Sequence, residues 1–477
     1  MSIEVMYHGA AVRVEGTIHR LKQLLGPDRV HGGRARIRDA QSVAKDRLEL
    51  VLEDGSRHLV VTSRQQPAPD PAADLVIRNA GQVLTMEGDG VGLVESAAVV
   101  CGGDRVMGVC AETELEQRFP VGGRARVLDA RGGLVTPGLV DPHTHPVFAG
   151  QRCVEFGMKA QGKTYLEIHK AGGGILSTVE ATRRASFEEL AAGCAANLSR
   201  LLAWGVTTIE GKSGYALEPE GELRLLEVLR TVAACHAVDV VPTLLGAHAL
   251  PPEHAGDREG YLRLVVEEMV PRAAREGLAQ FCDAYCEDGA FSAEEVRRIF
   301  AAARAHGLGL RLHAEQFTDQ GGASVAAEAG AASADHLEAI STAGVEQLAR
   351  AGTTAVLLPG AALTCRCPWP PARDLIDAGV PVALGTDLNP GSSMTASLPL
   401  MMSLACMQMR VSVDEAWRAV TVEAARSLQR DDIGRLAPGC RADLVLFDVP
   451  DYRYVPYHYG ENHARLVLKS GRVVVTR

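Results

Sequence analysis

The chain has 477 residues, of which 47% are hydrophobic, and its formal charge is −10. This length is too great for one simple domain and suits a large barrel with additional segments. The acidic charge disfavours general nucleic-acid binding, although a local arginine can still bind an anionic substrate. Because aromatic residues make up only 4% of the chain, aliphatic side chains and alanine must form most of the core.

The sequence lacks the features of a secreted or membrane protein, and we expect a cytoplasmic one. The opening residues, MSIEVMYHGA, lack the basic start and long apolar stretch of a secretory signal. No apolar run approaches the roughly 20 residues that span a bilayer. Eleven cysteines are scattered without the spacing of a disulfide framework. We therefore expect reduced thiols, a cytoplasmic location and no membrane partner.

Residues 1–66 are predicted to form an accessory N-terminal module, to which the sequence assigns no role. EGTIHRLKQLL has the pattern of a short helix that ends before Gly26-Pro27. RLELVLEDGSRHLVVTS predicts a β-hairpin that turns at Asp54-Gly55. A Pro-rich linker follows at residues 67–73.

Two β-rich segments enclose a middle of different character. Residues 74–133 and 434–477 alternate apolar and polar residues and carry Gly and Asn turn signals, as in DLVIRNAGQVLTM and HARLVLKSGRVVVTR. Antiparallel strands have this pattern. We expect both segments to pair into one small composite β-sandwich.

Residues 134–433 alternate short apolar strands with Ala-, Leu- and Glu-rich helical stretches, which favours βα units around a parallel sheet. Eight strand candidates end in polar or glycine residues. This number predicts an α/β fold of the (β/α)8 TIM-like barrel type, whose catalytic groups lie at the C-terminal ends of the strands. The candidates are VDPHTH, TTIEGKSGY, TLLGAHAL, FCDAYCED, LRLHAEQ, ASADHLE, AVLLPGA and VALGTDLNPG.

His143 and His145 form a His-x-His pair at the end of the first candidate strand. Residues i and i+2 of a strand point to the same side, so both imidazoles can bind one metal ion. A lone histidine in a core is usually a hydrogen-bonded packing residue. A set at several strand ends instead favours a metal-dependent, water-activating site. The other candidates at strand ends are His248, His313, His336 and Asp387.

Ordered motifs in the chain resemble a known family. TPGLVDPHTH, LRLHAEQ, SADHLE and LGTDLNPGSS resemble the amidohydrolase superfamily. More narrowly, VFAGQR, GGGILSTVEATR, EGKSGYALEPEGEL, GAHALPPE, DLNPGSS and VPYHYGENH resemble the imidazolonepropionase family of histidine degradation. The resemblance begins near Asp74 and reaches the C-terminus. It implies hydrolysis of the ring C–N (lactam) bond of 4-imidazolone-5-propanoate to N-formimidoyl-L-glutamate.

The resemblance further implies one zinc or iron ion per chain, bound by His143, His145, His313 and Asp387. Three neutral imidazoles and one carboxylate leave such an ion positively charged, with an open position for a water whose pKa falls towards about 7. His336 would orient or deprotonate this water or polarise the carbonyl, and a role as an extra ligand stays open. The catalytic residues implied are His336, Asp387 and His248.

Substrate-binding residues are implied in the same way. Arg152 would bind the propionate, because its planar fork makes two-point contacts with carboxylates; without the resemblance it would read as a solvated surface charge. His248 would hydrogen-bond the ring or its carbonyl. Gln316 can only position substrate, because an amide is neither a general acid nor a base. The full set is Arg152, Tyr165, Tyr215, His248, Gln316, Asn389, Gly391 and Ser392.

Some alternatives stay open. Dinuclear amidohydrolases bridge two metals with a carboxylated lysine from the fourth strand, whereas Lys212 ends the second, so we expect one metal and an internal Lys212–Glu210 ion pair. Cys365 and Cys367 lack matching partners and are poor evidence for metal binding. Another amidohydrolase, a deaminase or cyclic amidase acting on a related nitrogen heterocycle, fits the metal ligands equally well. A homodimer is expected by family analogy alone.

Overall fold

The computed structural model describes residues 73–119, 125–163 and 173–477 with their side chains, and the backbone of five strands between residues 2 and 61. The chain divides into two compact units, Met1–Ala72 and Ala73–Arg477. Among the helices described, none combines the length and the apolar character needed to cross a membrane. The finer division into module, linker, sandwich and barrel, with the boundaries given above, stays a prediction.

The first unit contains a five-stranded antiparallel sheet in the order β2-β1-β5-β4-β3. The pairing of β4 with β5 confirms the predicted hairpin. Its turn, residues 53–56, and nearly all of the predicted helix in EGTIHRLKQLL lie outside the described residues. The strands are β1 (Ser2–Tyr7), β2 (Ala10–Glu15), β3 (Ile37–Ala44), β4 (Arg47–Leu52) and β5 (Arg57–Val61).

The second unit contains an eight-stranded sheet built from both of its ends. Its strands are β6 (Leu75–Leu84), β7 (Leu93–Gly102), β8 (Arg105–Ala111), β9 (Arg126–Asp129), β10 (Leu134–Pro137), β19 (Leu444–Phe447), β20 (Ala464–Lys469) and β21 (Arg472–Thr476). The order is β21-β20-β19-β10-β6-β7-β8, with β9 beside β6. β10 joins the two halves, because it pairs antiparallel with β19 and parallel with β6. The β-structure predicted from the two β-rich segments is confirmed.

Eight parallel strands form the barrel, each paired with the next along the chain. They are β11 (Leu139–Thr144), β12 (Val206–Lys212), β13 (Asp239–Ala247), β14 (Phe281–Cys286), β15 (Gly309–Ala314), β16 (Ser333–His336), β17 (Thr354–Leu357) and β18 (Val382–Leu384). The barrel closes where the amide of His145 donates to Leu388 O and that of Asp387 donates to His143 O, both at 3.0 Å. All eight predicted strands are present, so the predicted barrel is confirmed.

Helices connect and cover the barrel strands. Three of them begin at a serine whose hydroxyl accepts a hydrogen bond from the helix backbone in a capping box, namely Ser186, Ser292 and Ser412; each cap is worth about 1 kcal/mol. The α-helices of the second unit are Leu115–Arg118, Cys153–Ala160, Ile175–Arg184, Phe187–Ala203, Pro219–Ala233, Arg258–Arg263, Val270–Arg275, Ala293–Ala305, Gly322–Glu328, Thr342–Ala351, Pro359–Cys365, Ala372–Asp377, Leu398–Gln408, Val413–Ala419, Val422–Ser427 and Tyr454–Tyr457. Short 3-10 helices span Glu112–Glu114 and Pro252–His254, and a π-helix spans Leu264–Met269.

The barrel interior changes from apolar to charged to histidine-rich along its axis. Inward-facing residues are spaced by two along each strand, so Phe281, Asp283 and Tyr285 of β14 share one side. Phe281 belongs to an apolar cluster that also contains Val140, Val241 and Val356. Asp283, the next inward position, is fully buried. The apolar cluster therefore lies below the polar groups, which are nearer the C-terminal ends of the strands.

Candidate active site

Three histidines and one aspartate converge at the C-terminal ends of the barrel strands. His143 lies in β11, His145 directly follows it, His313 lies in β15 and Asp387 follows β18. One ligand atom from each of the three histidines can be chosen so that all lie within 4.8 Å of one another. The Nε2 atoms of His143 and His145 are 3.6 and 3.5 Å from Asp387 Oδ1. The structure thus brings together the four predicted metal ligands.

The spacing of these four groups suits the ligands of one metal ion. With metal–nitrogen bonds of 2.0–2.1 Å, neighbouring ligand atoms are about 3.4 Å apart, close to the two distances to Asp387. In the described part of the chain, His143 Nε2, His313 Nε2 and Asp387 Oδ1 are buried without a hydrogen-bond partner, which is costly unless a cation binds there. Burial lowers the pKa of His143 and His145 well below its usual value, so both imidazoles are neutral, as metal ligands must be.

The three histidines and Asp387 form an array of four ligands. Two carboxylates beneath this array contact its histidines. His143 Nδ1 is 2.6 Å from Asp335 Oδ2, and His313 Nδ1 is 2.9 Å from Asp283 Oδ2. The hydrogen bond of His143 keeps the proton on Nδ1 and leaves the Nε2 lone pair for a metal. The sequence analysis did not assign these two aspartates. The signal was available, because a carboxylate inside a short buried strand, as in FCDAYC and SADH, needs a buried partner.

The same aspartates belong to a buried ionic layer of two cations and three carboxylates. Lys212 Nζ is 2.7 Å from both Glu210 Oε1 and Asp283 Oδ2, and 3.5 Å from Asp335 Oδ2. Arg311 is 3.0 Å from Glu210 and 3.5 Å from Asp335, and all five side chains are fully buried. The predicted Lys212–Glu210 ion pair is therefore present. Burial would raise the pKa of Asp283, but the His313 ring and the Lys212 ammonium keep it well below its usual value.

His336 lies beside the array but does not belong to the group formed by His143, His145 and His313. Its ring centroid is 5.7 Å from that of His143 and 5.4 Å from that of His313. Its φ is +79°, a left-handed conformation that is uncommon for residues other than glycine. Nδ1 is 3.6 Å from Glu338 Oε1, a buried carboxylate that the sequence analysis did not single out. Burial opposes protonation of His336, but Glu338 and Asp387 raise its pKa to about 9.

The loop after β18 contacts Asp387 through its own side chains. Ser392 Oγ donates to Asp387 Oδ2 at 3.0 Å, and Asn389 Nδ2 donates to the Asp387 carbonyl at 2.7 Å. Asn389 Oδ1 accepts hydrogen bonds from the amides of Gly391 and Ser392. Burial raises the pKa of Asp387 to about 6. In this structure, therefore, the three loop residues predicted to bind substrate shape the turn and orient Asp387.

His248 and Tyr215 form one wall beside the array. The His248 ring stacks on His145 at 5.3 Å and lies 5.5 Å from the Tyr215 ring. His248 Nδ1 is 2.9 Å from Gly214 O, so the proton resides there and the nitrogen donates to that carbonyl. Burial and the neighbouring His313 lower the pKa of His248 to about 3, so the ring is neutral. Its Nε2 can accept a hydrogen bond from a substrate N–H but cannot donate one to a carbonyl oxygen.

Gln316 is linked to the histidine cluster through Tyr285. Its Oε1 accepts a hydrogen bond of 2.7 Å from the Tyr285 hydroxyl, and the Tyr285 ring is 5.9 Å from His313 and 6.2 Å from His248. Predicted Tyr165 lies outside the described residues.

A cavity of about 330 Å³ adjoins the Asp387 loop and contains two cationic side chains, Arg152 and Lys159. Arg152 Nε and Nη2 donate to the two Glu155 oxygens at 3.0 and 2.7 Å, which fixes the guanidinium. Its Nη1 lies so close to Gly391 that an added Cβ there would be 2.1 Å away. Lys159 Nζ donates to the Gly391 carbonyl at 3.1 Å. The sequence analysis predicted Arg152 but missed Lys159, which lies in the last turn of the helix Cys153–Ala160 that begins directly after Arg152.

Comparisons with known proteins identify relatives of this chain. Residues 149–475 match the amidohydrolase family. A curated imidazolonepropionase of Geobacillus thermodenitrificans is 48% identical over 414 residues, covering 84% of this chain and 98% of that protein. The imidazolonepropionase of Myxococcus xanthus is 49% identical over 410 residues, covering 84% of this chain and 97% of that protein.

Solved structures show the same fold at low sequence identity. A zinc-bound adenosine deaminase from Xanthomonas campestris has a TM-score of 0.65 and 20% identity, covering 86% of this chain and 94% of that chain. An N-isopropylammelide isopropylaminohydrolase from Burkholderia multivorans has a TM-score of 0.64 and 22% identity, covering 84% of this chain and 97% of that chain.

The barrel, the family match and the histidine-rich site together define a hydrolase of the amidohydrolase class. Within that class, the identity to the curated relatives extends over most of the chain. The chain belongs to the imidazolonepropionase family.

Replacing Lys212 by methionine tests the ionic layer. Without the ammonium, Asp283 loses its cationic partner and Glu210 and Asp335 share only Arg311. We therefore expect the free energy of unfolding to fall by about 3–5 kcal/mol and the zinc affinity to fall with it.

Lys469→Met is the matched control, because Lys469 is also buried and pairs with Asp443 at 2.6 Å and with Asp239 at 2.9 Å. Asp239 begins β13, so this pair lies at the end of the strand away from the site. The control variant should lower stability without lowering zinc affinity. Urea unfolding and zinc titration measure the two effects; unchanged stability of Lys212→Met would contradict the account.

Replacing Asp335 by asparagine tests the orientation of His143. The amide is a weaker acceptor for the Nδ1 proton, so we expect zinc affinity to fall about 10–100-fold. Competition with a chelator of known affinity measures the change. Asp377→Asn, an exposed aspartate paired with Arg373, should leave the affinity unchanged. Equal affinities of the two variants would show that Asp335 does not support the array.

Proposed function

We propose that this chain hydrolyses the ring C–N bond of 4-imidazolone-5-propanoate to give N-formimidoyl-L-glutamate, a step in histidine degradation. The observation that carries the proposal is that Ser392, which donates to Asp387 Oδ2 at 3.0 Å, also lines the cavity bordered by Arg152 and Lys159. The substrate is a lactam ring with a carboxylate tail, so it needs both the array and this cavity. The relatives that match most of the chain are named imidazolonepropionase.

The proposed metal content is one zinc or iron ion per chain, held by His143, His145, His313 and Asp387. When bound, the ion would lower the pKa of a bound water molecule, and its positive charge would lie near the lactam carbonyl. A bridge to a second metal through Lys212 is disfavoured, because its ammonium already contacts three carboxylates.

Two groups of the chain are suited to move protons. Asp387 is a carboxylate at the site of attack, so it can take a proton from the attacking water and pass it to the ring nitrogen as the C–N bond breaks. His336, kept protonated by Glu338 and Asp387, can donate to the carbonyl oxygen as negative charge develops there. A divalent ion nearby lowers the pKa of His336, so this proton becomes easier to transfer.

The remaining predicted residues would position the substrate. His248 accepts an N–H of the imidazolone ring through Nε2, which leaves the carbonyl oxygen to His336. Arg152 presents Nη1 and Lys159 its ammonium to the propionate, each held by contacts with Glu155 or the Gly391 carbonyl. Tyr215 and Gln316 border the ring. Tyr165, Asn389, Gly391 and Ser392 complete the proposed substrate-binding set.

The proposal includes a cytoplasmic homodimer that acts on a small molecule and needs neither nucleic acid nor a membrane. All eleven cysteines are free thiols, which supports a reducing compartment. The dimer rests on family analogy alone.

Turnover of imidazolone propionate, generated from urocanate by urocanase, tests the proposed reaction. We expect the imidazolone absorbance to disappear as N-formimidoyl-L-glutamate forms in equal amount. Removing metal with a chelator should abolish this turnover, and one equivalent of zinc or iron per chain should restore it, because the water that attacks the lactam depends on the ion.

Two histidine variants control this experiment. His145→Ala should lose the metal of the barrel site and turnover together, whereas His236→Ala, which changes a half-buried histidine outside the barrel interior, should retain both. A metal-loaded chain that leaves imidazolone propionate intact but releases ammonia from an amino-heterocycle would overturn the substrate assignment and support a deaminase.

A further inference from the structure

A second group of potential metal ligands lies outside the barrel, in the segment VPYHYGENH between β19 and β20. Ligand atoms of His458, Glu461 and His463 all lie within 4.8 Å of one another. His458 Nδ1 is 3.2 Å from His463 Nε2, which is 3.8 Å from Glu461 Oε2. We propose that these three side chains bind a second divalent transition-metal ion, such as zinc, independently of the catalytic site.

The distances suit a tetrahedral ion. Ligand atoms at 2.0–2.1 Å from zinc are about 3.4 Å apart, and the His458–His463 distance is already close to this value. A hydrogen bond between the two imidazoles also explains that distance, but it leaves the Glu461 carboxylate unexplained, because 3.8 Å is too long for a hydrogen bond. The Glu461 side chain is 71% exposed, so it can move the few tenths of an ångström that binding requires.

The backbone around the three ligands is fixed by local hydrogen bonds. The Glu461 amide donates to the His458 carbonyl at 3.1 Å, and Gly460 between them has a φ of +85°, which a glycine adopts without strain. Asn462 Nδ2 donates to the Ala203 carbonyl at 2.7 Å, which ties the turn to the end of the helix Phe187–Ala203. The Asp448 amide donates to the His463 carbonyl. Such a turn presents its ligands with little ordering cost on binding.

Neighbouring tyrosines hold the His458 ring. The Tyr454 and Tyr457 rings lie 5.0 and 5.2 Å from it, so the imidazole has limited freedom to rotate away. Two imidazoles and one carboxylate suit zinc and similar ions, with water in the open position. Because the ligands reach the surface, the ion can exchange with solvent. When bound, it stabilises the turn next to the helix Phe187–Ala203. None of the proposed ligands of this second ion belongs to the active site.

Zinc content of the full chain tests the second site. Protein stripped of metal is dialysed against micromolar free zinc, and bound zinc is counted by elemental analysis. We expect the wild-type chain to bind one zinc more than His463→Ala, and Glu461→Gln to bind this extra zinc more than about tenfold more weakly, because ligand loss costs more than loss of a supporting group. His236→Ala, a half-buried histidine elsewhere, should match the wild type.

The variants separate the proposal from its alternatives. Equal zinc content in the wild-type and His463→Ala chains overturns the second site and leaves a simple hydrogen bond between imidazoles. Glu461→Gln changes an exposed side chain, so it reports on binding even if His463→Ala folds poorly. Unchanged affinity of Glu461→Gln overturns the three-ligand site. Loss of turnover in His145→Ala does not bear on this result, because that variant retains His458, Glu461 and His463.

Discussion

The burial of Lys212 among three carboxylates is the interaction on which the site depends. Withdrawing each charge from water costs several kcal/mol, and close pairing of every charge is needed to offset it. Glu210, Asp283, Asp335 and Arg311 provide that pairing above a buried apolar cluster. The two aspartates also contact two of the array's histidines. The orientation of the imidazoles is thus a consequence of how the barrel neutralises its own interior charge.

The same layer explains why the site is suited to a cation. Two cations and three carboxylates leave one negative charge, and ionised Asp387 adds a second. Neutral imidazoles add none, so a divalent ion would balance the charge of the layer and its ligands. In the protein alone, burial raises the pKa of Asp387 to about 6; a bound cation would keep it ionised. The buried ligand atoms without hydrogen-bond partners thereby acquire a partner, which offsets the cost of burying them.

Each β-strand could be predicted from the sequence, but the side-chain contacts between different strands could not. The eight strands and the His-x-His pair follow from local pattern, as does the Glu210–Lys212 pair, because residues i and i+2 share a side. The contact of Asp335 with His143 joins β16 to β11 and depends on barrel register, which the sequence does not show. Arg152 was predicted, but its pairing with Glu155 depends on loop conformation. The predicted helix after β2 lies outside the described residues.

The central claim is that the ionic layer positions three histidines and one aspartate around a single metal ion. Anomalous X-ray diffraction from crystals of the zinc-loaded chain tests it most directly. The account predicts one zinc peak in the barrel, within bonding distance of His143, His145, His313 and Asp387, with Lys212 unmodified between its carboxylates. Two zinc peaks in the barrel bridged by a carboxylated Lys212, or a single peak without these four ligands, would contradict it.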